Sequence, residues 1–319
     1  MAKPRVLFLT DRSEFHQQHA LRDAPPELEI MMRRRPTAAE LTELLPTVQY
    51  IISERSEVVS REMIAAAPKL RLIVRLGSLL VGIDQDAAVE RNIKVVLQPV
   101  VGTIYVAEHL LMMTLATLKH LGRSLWQANS ADHGLPAHRT DENTFAFNWL
   151  GLQDIGGLYQ KVVGIIGMGE IGVELTRRVY GFAPRAILYN KRTPYPAEVE
   201  AALWIAYASV PQIAEHAEVI ISLLPYAAET DQSLDRAFFE RLHPGTIFIH
   251  AGSGSVIDEA ALIEALETGI LAGAALDTYE YEPLQPDHPL VRYARNPRSN
   301  LLLTPHTAAA SLSASRADD

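Results

Sequence analysis

Short apolar runs alternate with amphipathic stretches along almost the whole chain. In the first hundred residues Val6–Leu9, Leu28–Met32, Val48–Ile52, Leu70–Leu76 and Lys94–Leu97 predict strands. Thr37–Leu45 and Ser60–Ala67 predict helices, each opened by a hydroxyl side chain that can cap the first turn. Val106–Leu125 is the longest helical pattern, apolar around most of its circumference, as in a helix central to a domain or buried against a partner. Residues 127–148 are polar, read as a long loop, and carry His133, His138 and Arg139. From residue 161 the alternation resumes, with strands over 162–166, 186–189, 219–223, 246–250, 272–277 and 300–303. Helices lie between them, Asp258–Thr268 the clearest. Two doubly wound parallel α/β sheets are therefore predicted.

Chemistry enters at the first strand of the second half. Val162–Ile166 is apolar throughout, as a parallel strand covered on both faces must be. It runs into Gly167-Met168-Gly169-Glu170-Ile171-Gly172, the spacing G-x-G-x-x-G. The three glycines serve a tight turn, backbone approach to a pyrophosphate, and packing of helix on strand. A helix opening near Glu170 aims its unpaired N–H groups at that anion. The next strand ends about twenty residues on, where a ribose-reading side chain belongs. Instead of an acid it offers Asn190, Lys191 and Arg192, which suits a 2′-phosphate and favours NADP(H) over NAD(H). A solvated basic turn is the plain alternative. Pro225, Gly252, Asp277 and Pro305 fall at or just past later strand ends, where ligands of open α/β sheets sit.

Composition narrows the remaining choices. The 319 residues suggest about two domains, and 48% hydrophobic with 21% charged residues is ordinary globular usage. A net charge of −9 argues against nucleic acid or an anionic membrane as partner. With no cysteine, disulfides, thiolate metal sites and cysteine nucleophiles are excluded. His16 and His19 share a helical face without a third ligand, so no metal is expected. No stretch reads as long and apolar enough to span a bilayer, the N-terminus lacks a signal-like core, and a cytoplasmic protein with a small-molecule substrate is the expectation.

A series of short motifs in fixed order resembles the D-2-hydroxyacid dehydrogenase family over nearly the whole chain. They are Pro68–Gly77, Val106-Ala-Glu-His109, Pro225–Thr230, Pro244-Gly245, Val256–Glu259, Gly273–Asp277, Glu282-Pro283 and Thr304-Pro-His306. The resemblance implies a flavodoxin-like substrate domain, 1–104 plus 304–319, and a Rossmann dinucleotide-binding domain, 105–303, with a cleft between them. It implies hydride transfer between a nicotinamide and a 2-oxo or 2-hydroxy acid, and a homodimer through the cofactor domain. It puts His306 at the proton-handling position and Glu282, rather than Glu280, at its carboxylate partner. Such an acid must carry a proton in the reductive direction, which an adjoining carboxylate favours. The resemblance also assigns Val106, Leu224, Pro225, Thr230, Ala251, Gly252 and Asp277 to the cofactor, and Arg55, Gly77, Ser78 and Leu79 to the substrate.

The chain departs from the family pattern at its centre. Without a gap, His250 falls at the family's asparagine position and Ser253 at its substrate-gripping arginine. A serine offers one neutral donor where a guanidinium offers a charged planar fork. Loss of one donor to a developing oxyanion typically costs roughly 10²–10³ in rate. Leu79 and Leu80 make the substrate loop more apolar, and Arg55, Arg75 or a cationic His250 are candidate replacements for the lost charge. Two functions remain open: an oxidoreductase with an altered substrate clamp, or a weakened NADP(H)-binding relative acting as a sensor.

Overall fold

A computed structural model describes residues 3–54, 58–130, 134–145, 147–296 and 298–310. The chain forms two compact units, Met1–Tyr105 with Ala309–Asp319, and Val106–Ala308.

The first unit is a parallel sheet of β1 (Arg5–Thr10), β2 (Glu29–Arg34), β3 (Tyr50–Glu54), β4 (Leu72–Leu76) and β5 (Lys94–Gln98), in the order 2-1-3-4-5. That is the flavodoxin-like winding. Leu7, Ile51 and Ile73, on its three middle strands, are fully buried and pack with Val48 and Ile64. Its helices are α1 (Glu14–Arg22), α2 (Ala38–Leu44), α3 (Arg61–Ala66) and α4 (Gln85–Glu90). The hydroxyls cap as read: Thr37 and Glu40 close a reciprocal capping box on α2, and Ser60 accepts from Met63 N on α3. Helix α1 has no buried residue and hence no apolar stripe to betray it. It carries His16, bonded to Ser13 Oγ, and His19, bonded to the Phe15 carbonyl. No metal-holding cluster exists among the described residues.

Two expectations about the long helix are corrected. It runs earlier, as α5 (Val101–Leu118), and ends where His120 takes a left-handed backbone (φ +46°), before a separate α6 (Leu121–Ala128). Gly102 and Thr103 dilute the apolar pattern in its first turn, which hid the true start. The second concerns the membrane. With Glu108 its only charge, α5 has the length and mean hydropathy (1.4) of a membrane span. Its burial of Val106, Ala107, Leu110, Met113, Thr114, Thr117 and Leu118 is equally that of a core helix.

Among the described residues the second unit holds seven parallel strands rather than six: β6 (Val162–Ile166), β7 (Ala186–Asn190), β8 (Ala206–Tyr207), β9 (Val219–Ser222), β10 (Thr246–His250), β11 (Leu271–Leu276) and β12 (Leu301–Leu303). Their order is 12-11-10-9-6-7-8, the Rossmann winding with one strand added. The added strand is β12, and the one not read from sequence is β8, a two-residue exposed edge with no apolar run to reveal it. Strands β6, β9 and β10 are buried throughout, as their apolar sequences require, and Phe239, Phe248, Ile220, Leu262 and Ala274 fill the core. The register aligns Asn190, Ile166, Ser222, His250, Leu276 and Leu303 in one row across the sheet. Gly167, Pro225, Gly252, Asp277 and Thr304 all lie just past that row. The order reverses between β6 and β9, the switch point of such a sheet.

Candidate cofactor and proton-handling site

The turn after β6 and helix α7 (Glu170–Tyr180) form the dinucleotide cradle. Gly167 has φ +95°, and a Cβ there would sit 2.7–2.8 Å from the Leu223 and Leu224 backbone. Gly252, after β10, approaches the same Leu224 backbone from another direction, its absent Cβ 2.5 Å from the Leu224 carbonyl oxygen. Three loops are thus packed main chain to main chain, and only glycine permits it. Ser253 N donates to the Leu224 carbonyl at 2.9 Å, and Ala251 N to that of Ser222 at 3.3 Å. Thr230 Oγ1 donates to the Pro225 carbonyl and accepts from Ala227 N, closing the turn after β9.

A Cβ at Gly169 would enter open space, while one at Gly172 would strike Met168, itself buried. The first backbone bond of α7 runs from Val173 N to Gly169 O, so the helix end faces outward with its positive dipole. Open space at the second glycine in front of that end fits a pyrophosphate.

At the end of β7, Asn190 O accepts from Gly167 N and Met168 N, and its side-chain amide donates to the Ala208 carbonyl at 3.0 Å. That amide nitrogen is therefore structural. Lys191 is half-buried, its Nζ 4.2 Å from the centroid of the Tyr195 ring, and burial lowers its pKa. Arg192 is exposed and makes no ion pair among the described residues. The two cations read as a pair are thus unequal, with Arg192 the one presented to solvent.

The second constellation lies on the far side of the row. His306 Nδ1 is 2.7 Å from Glu282 Oε2, and the other carboxylate oxygen of Glu282 accepts from Tyr279 N at 3.0 Å. The side chain of His306 is 61% exposed, so its Nε2 edge is open. Glu280 is not the partner: its N–H donates to Glu259, which faces His288. The peptide bond Glu282–Pro283 is cis.

Asp277, assigned to the cofactor by sequence, is fully buried and holds the turn that carries His306. Its Oδ1 accepts from Thr304 Oγ1 (2.6 Å) and Thr307 N (3.0 Å), its Oδ2 from Ala308 N (2.9 Å). Since the Thr304 hydrogen goes to Asp277, Thr304 Oγ1 accepts from His109 Nε2 at 3.1 Å. Tyr279 adds a bond from its hydroxyl to the Thr304 carbonyl at 2.7 Å. Sequence reasoning named Thr304 only as part of a motif, and missed its bond to Asp277, the role of Tyr279 and the reach of His109 to this turn. The Val106-Ala-Glu-His109 motif was visible, but Val106 is a buried helix residue and His109 is the member that meets the site.

Two candidate cations are corrected. His250 is fully buried, its Nε2 3.1 Å from the Ser253 carbonyl, which fixes that nitrogen as the donor. Burial pushes its pKa down to about 4 against the opposing pull of the Ser253 and Ser222 backbone, so it is neutral. In the first unit Arg75 is fully buried and donates from Nη2 to the Val81 carbonyl at 2.6 Å, holding its own loop. Of the assigned substrate residues there, Gly77 N donates to the Gln98 carbonyl, Ser78 is buried and Leu79 half-buried. Arg55 and His133 lie outside the described residues.

Comparison with known proteins accords with this geometry. Residues 135–308 match the family described as D-isomer specific 2-hydroxyacid dehydrogenase, NAD binding domain. The D-3-phosphoglycerate dehydrogenase of Archaeoglobus fulgidus is 30% identical over 88% of this chain, which spans 49% of that relative. The chain thus covers about half the length of those relatives. Glyoxylate/hydroxypyruvate reductase B of an Enterobacter species is 31% identical over 80% of this chain and 73% of its own. Among solved structures, the NADPH-dependent glyoxylate/hydroxypyruvate reductase of Sinorhizobium meliloti, in complex with NADP and malonate, is 28% identical. It aligns with a TM-score of 0.54 over 98% of this chain and 88% of its own. Glycine cradle, sheet order and matched residues together make this chain a member of the D-isomer specific 2-hydroxyacid dehydrogenase family.

Proposed function

We propose that this protein is an NADP(H)-dependent oxidoreductase that interconverts a 2-oxo acid or related carbonyl compound and its alcohol. The observation that carries the reading is the 2.7 Å contact between His306 and Glu282. Glu282 accepts a hydrogen bond from Nδ1–H, so the proton delivered to or taken from the substrate oxygen resides on Nε2, the open edge of the ring. Tyr279 N fixes the second carboxylate oxygen and hence the plane of the pair. The α7 N-terminus and the backbone around Gly167, Gly169 and Gly252 would hold the dinucleotide, and Arg192 its 2′-phosphate. When bound, the dinucleotide supplies or accepts the hydride at the carbonyl carbon. The NADP complex of the Sinorhizobium meliloti enzyme supports this choice of coenzyme.

Exposed Leu121, Leu125 and Trp126 on α6, together with Phe145 and Phe147, support a homodimer through the second unit. A dilution series by sedimentation that gives only monomer removes that part of the reading.

The test is NADPH absorbance across a panel of 2-oxo acids and neutral carbonyl compounds, alongside NADPH fluorescence to report binding. Turnover is expected, and Glu282→Gln should lower kcat about 10²–10³-fold with NADPH binding intact. Binding without turnover of any member of the panel would make the protein a sensor instead.

A further inference from the structure

The His306–Glu282 contact joins two segments well separated in the chain, and both are tied to Tyr279. Tyr279 N donates to Glu282 Oε1 at 3.0 Å, and the Tyr279 hydroxyl donates at 2.7 Å to the carbonyl of Thr304, just before His306. The place of the pair thus depends on what holds Tyr279. Its peptide bond to Glu280 is gripped on both edges. On the carbonyl edge Gly254 packs so closely that an added Cβ would overlap the Tyr279 carbonyl group. On the amide edge Glu280 N donates to Glu259 Oε1 at 3.1 Å. Glu259 is itself fixed. It is the first residue of the helix Glu259–Glu267, where the positive end of the helix dipole favours a carboxylate. Its Oε2 lies 3.3 Å from His288 Nε2, and both side chains are largely buried. Since His288 Nδ1 accepts from Leu290 N at 3.4 Å, the ring proton sits on Nε2 and points at Glu259.

Two successive amides of one turn are therefore taken by two carboxylates with different work. Glu282 meets the imidazole; Glu259 holds the peptide from which Glu282 is aimed. We infer that Glu259 is a positioning residue for proton transfer, keeping the Glu282 carboxylate on His306 Nδ1 by gripping the Tyr279–Glu280 peptide. His288 serves it by fixing the second carboxylate oxygen. This rests on the proton-handling role of His306 proposed above. Because Glu259 acts through Glu282, its loss falls on kcat and not on coenzyme binding. It also frees the imidazole to carry its proton on either nitrogen, since the acceptor that selects Nδ1–H is no longer aimed.

The experiment compares Glu259→Ala, Glu259→Gln and His288→Ala with the wild type as intact proteins. Steady-state rates with NADPH and the panel of 2-oxo acids give kcat and KM, and NADPH fluorescence gives coenzyme affinity. Independently of turnover, nitrogen-15 NMR of histidine-labelled protein reports which nitrogen of the neutral His306 ring carries the proton, with His306→Asn identifying the signal. Expected for Glu259→Ala is a kcat lower by about 10–100-fold with NADPH affinity unchanged. Its His306 proton should divide between the two nitrogens, whereas the wild type keeps it on Nδ1. Glu259→Gln retains an acceptor for Glu280 N and should stay within about threefold of the wild type, with His288→Ala between the two. A Glu259→Ala protein that loses only stability in urea, with kcat and the Nδ1 proton unchanged, overturns the inference. Should that variant fail to fold, His288→Ala decides on the same two readouts. If no member of the panel turns over, the role of His306 falls, and the position of its proton alone decides whether Glu259 holds the pair.

Discussion

Two turns leave the same sheet a few strands apart, and they are built in opposite ways. The turn after β6 is made of backbone: Gly167, Leu223, Leu224 and Gly252 touch main chain to main chain. The turn after β12 is made of side chains: a buried carboxylate just past β11 gathers Thr304, Thr307 and Ala308, and a histidine from α5 completes the set. A ligand used unchanged by many proteins can be met by backbone, which is the same in every chain. A group that moves a proton must be aimed, and aiming takes specific polar partners. The first kind of turn tolerates no added atom; the second tolerates no lost charge.

Changes on either side should therefore fail differently. Gly167→Ala puts a methyl into the Leu223–Leu224 backbone at a left-handed φ, and is expected to abolish NADPH binding and to cost about 2–4 kcal/mol of stability. Fluorescence titration and urea unfolding measure both; retained binding would show that the cradle is looser than its contacts. Asp277→Asn places an amide donor against backbone donors and should cost about 2–3 kcal/mol. It should lower kcat more than it alters NADPH affinity, because the turn it loosens carries His306; equal losses in both would break the distinction between the turns.

The link between them, His250, gives a pH signature. Its folded pKa of about 4 lies below the ordinary 6.5, so the unfolded chain binds the proton first as pH falls. Stability from this group is complete above about pH 6.5 and is lost as pH falls toward 4, by about 3 kcal/mol in all. His250→Asn should flatten that part of the stability curve, and an unchanged slope between pH 6.5 and 4 would count against a neutral, enclosed ring. The smallest effect concerns the one charged element beside the backbone turn: Arg192→Ala should weaken NADPH about tenfold and leave NADH nearly unaffected, as competing titrations would show.

The same contrast explains what could be read from the chain. Gly167, Gly169 and Gly172 are local, and their spacing carries its own mechanical reason. Thr37 and Ser60 were equally legible, since a cap acts within one turn. Asp277 was found, but its work was not, because its partners lie 27–31 residues downstream and one bond further to His109. His250 invited the opposite error. Its neutrality follows from strand neighbours at Ser222 and Leu276, a registration visible only once the sheet is assembled. Strand β8 escaped for a simpler reason: it buries no residue, so it imprints no period, and α1 was signalled only by the spacing of His16 and His19.

His306 itself has φ +51°, a backbone that asparagine adopts readily and alanine adopts at roughly 1 kcal/mol. Replacing the imidazole by a methyl group would therefore remove a proton carrier and at the same time strain the left-handed peptide that carried it. His306→Asn keeps the bend and deletes only the chemistry, so it is the substitution from which the worth of the ring can be measured cleanly.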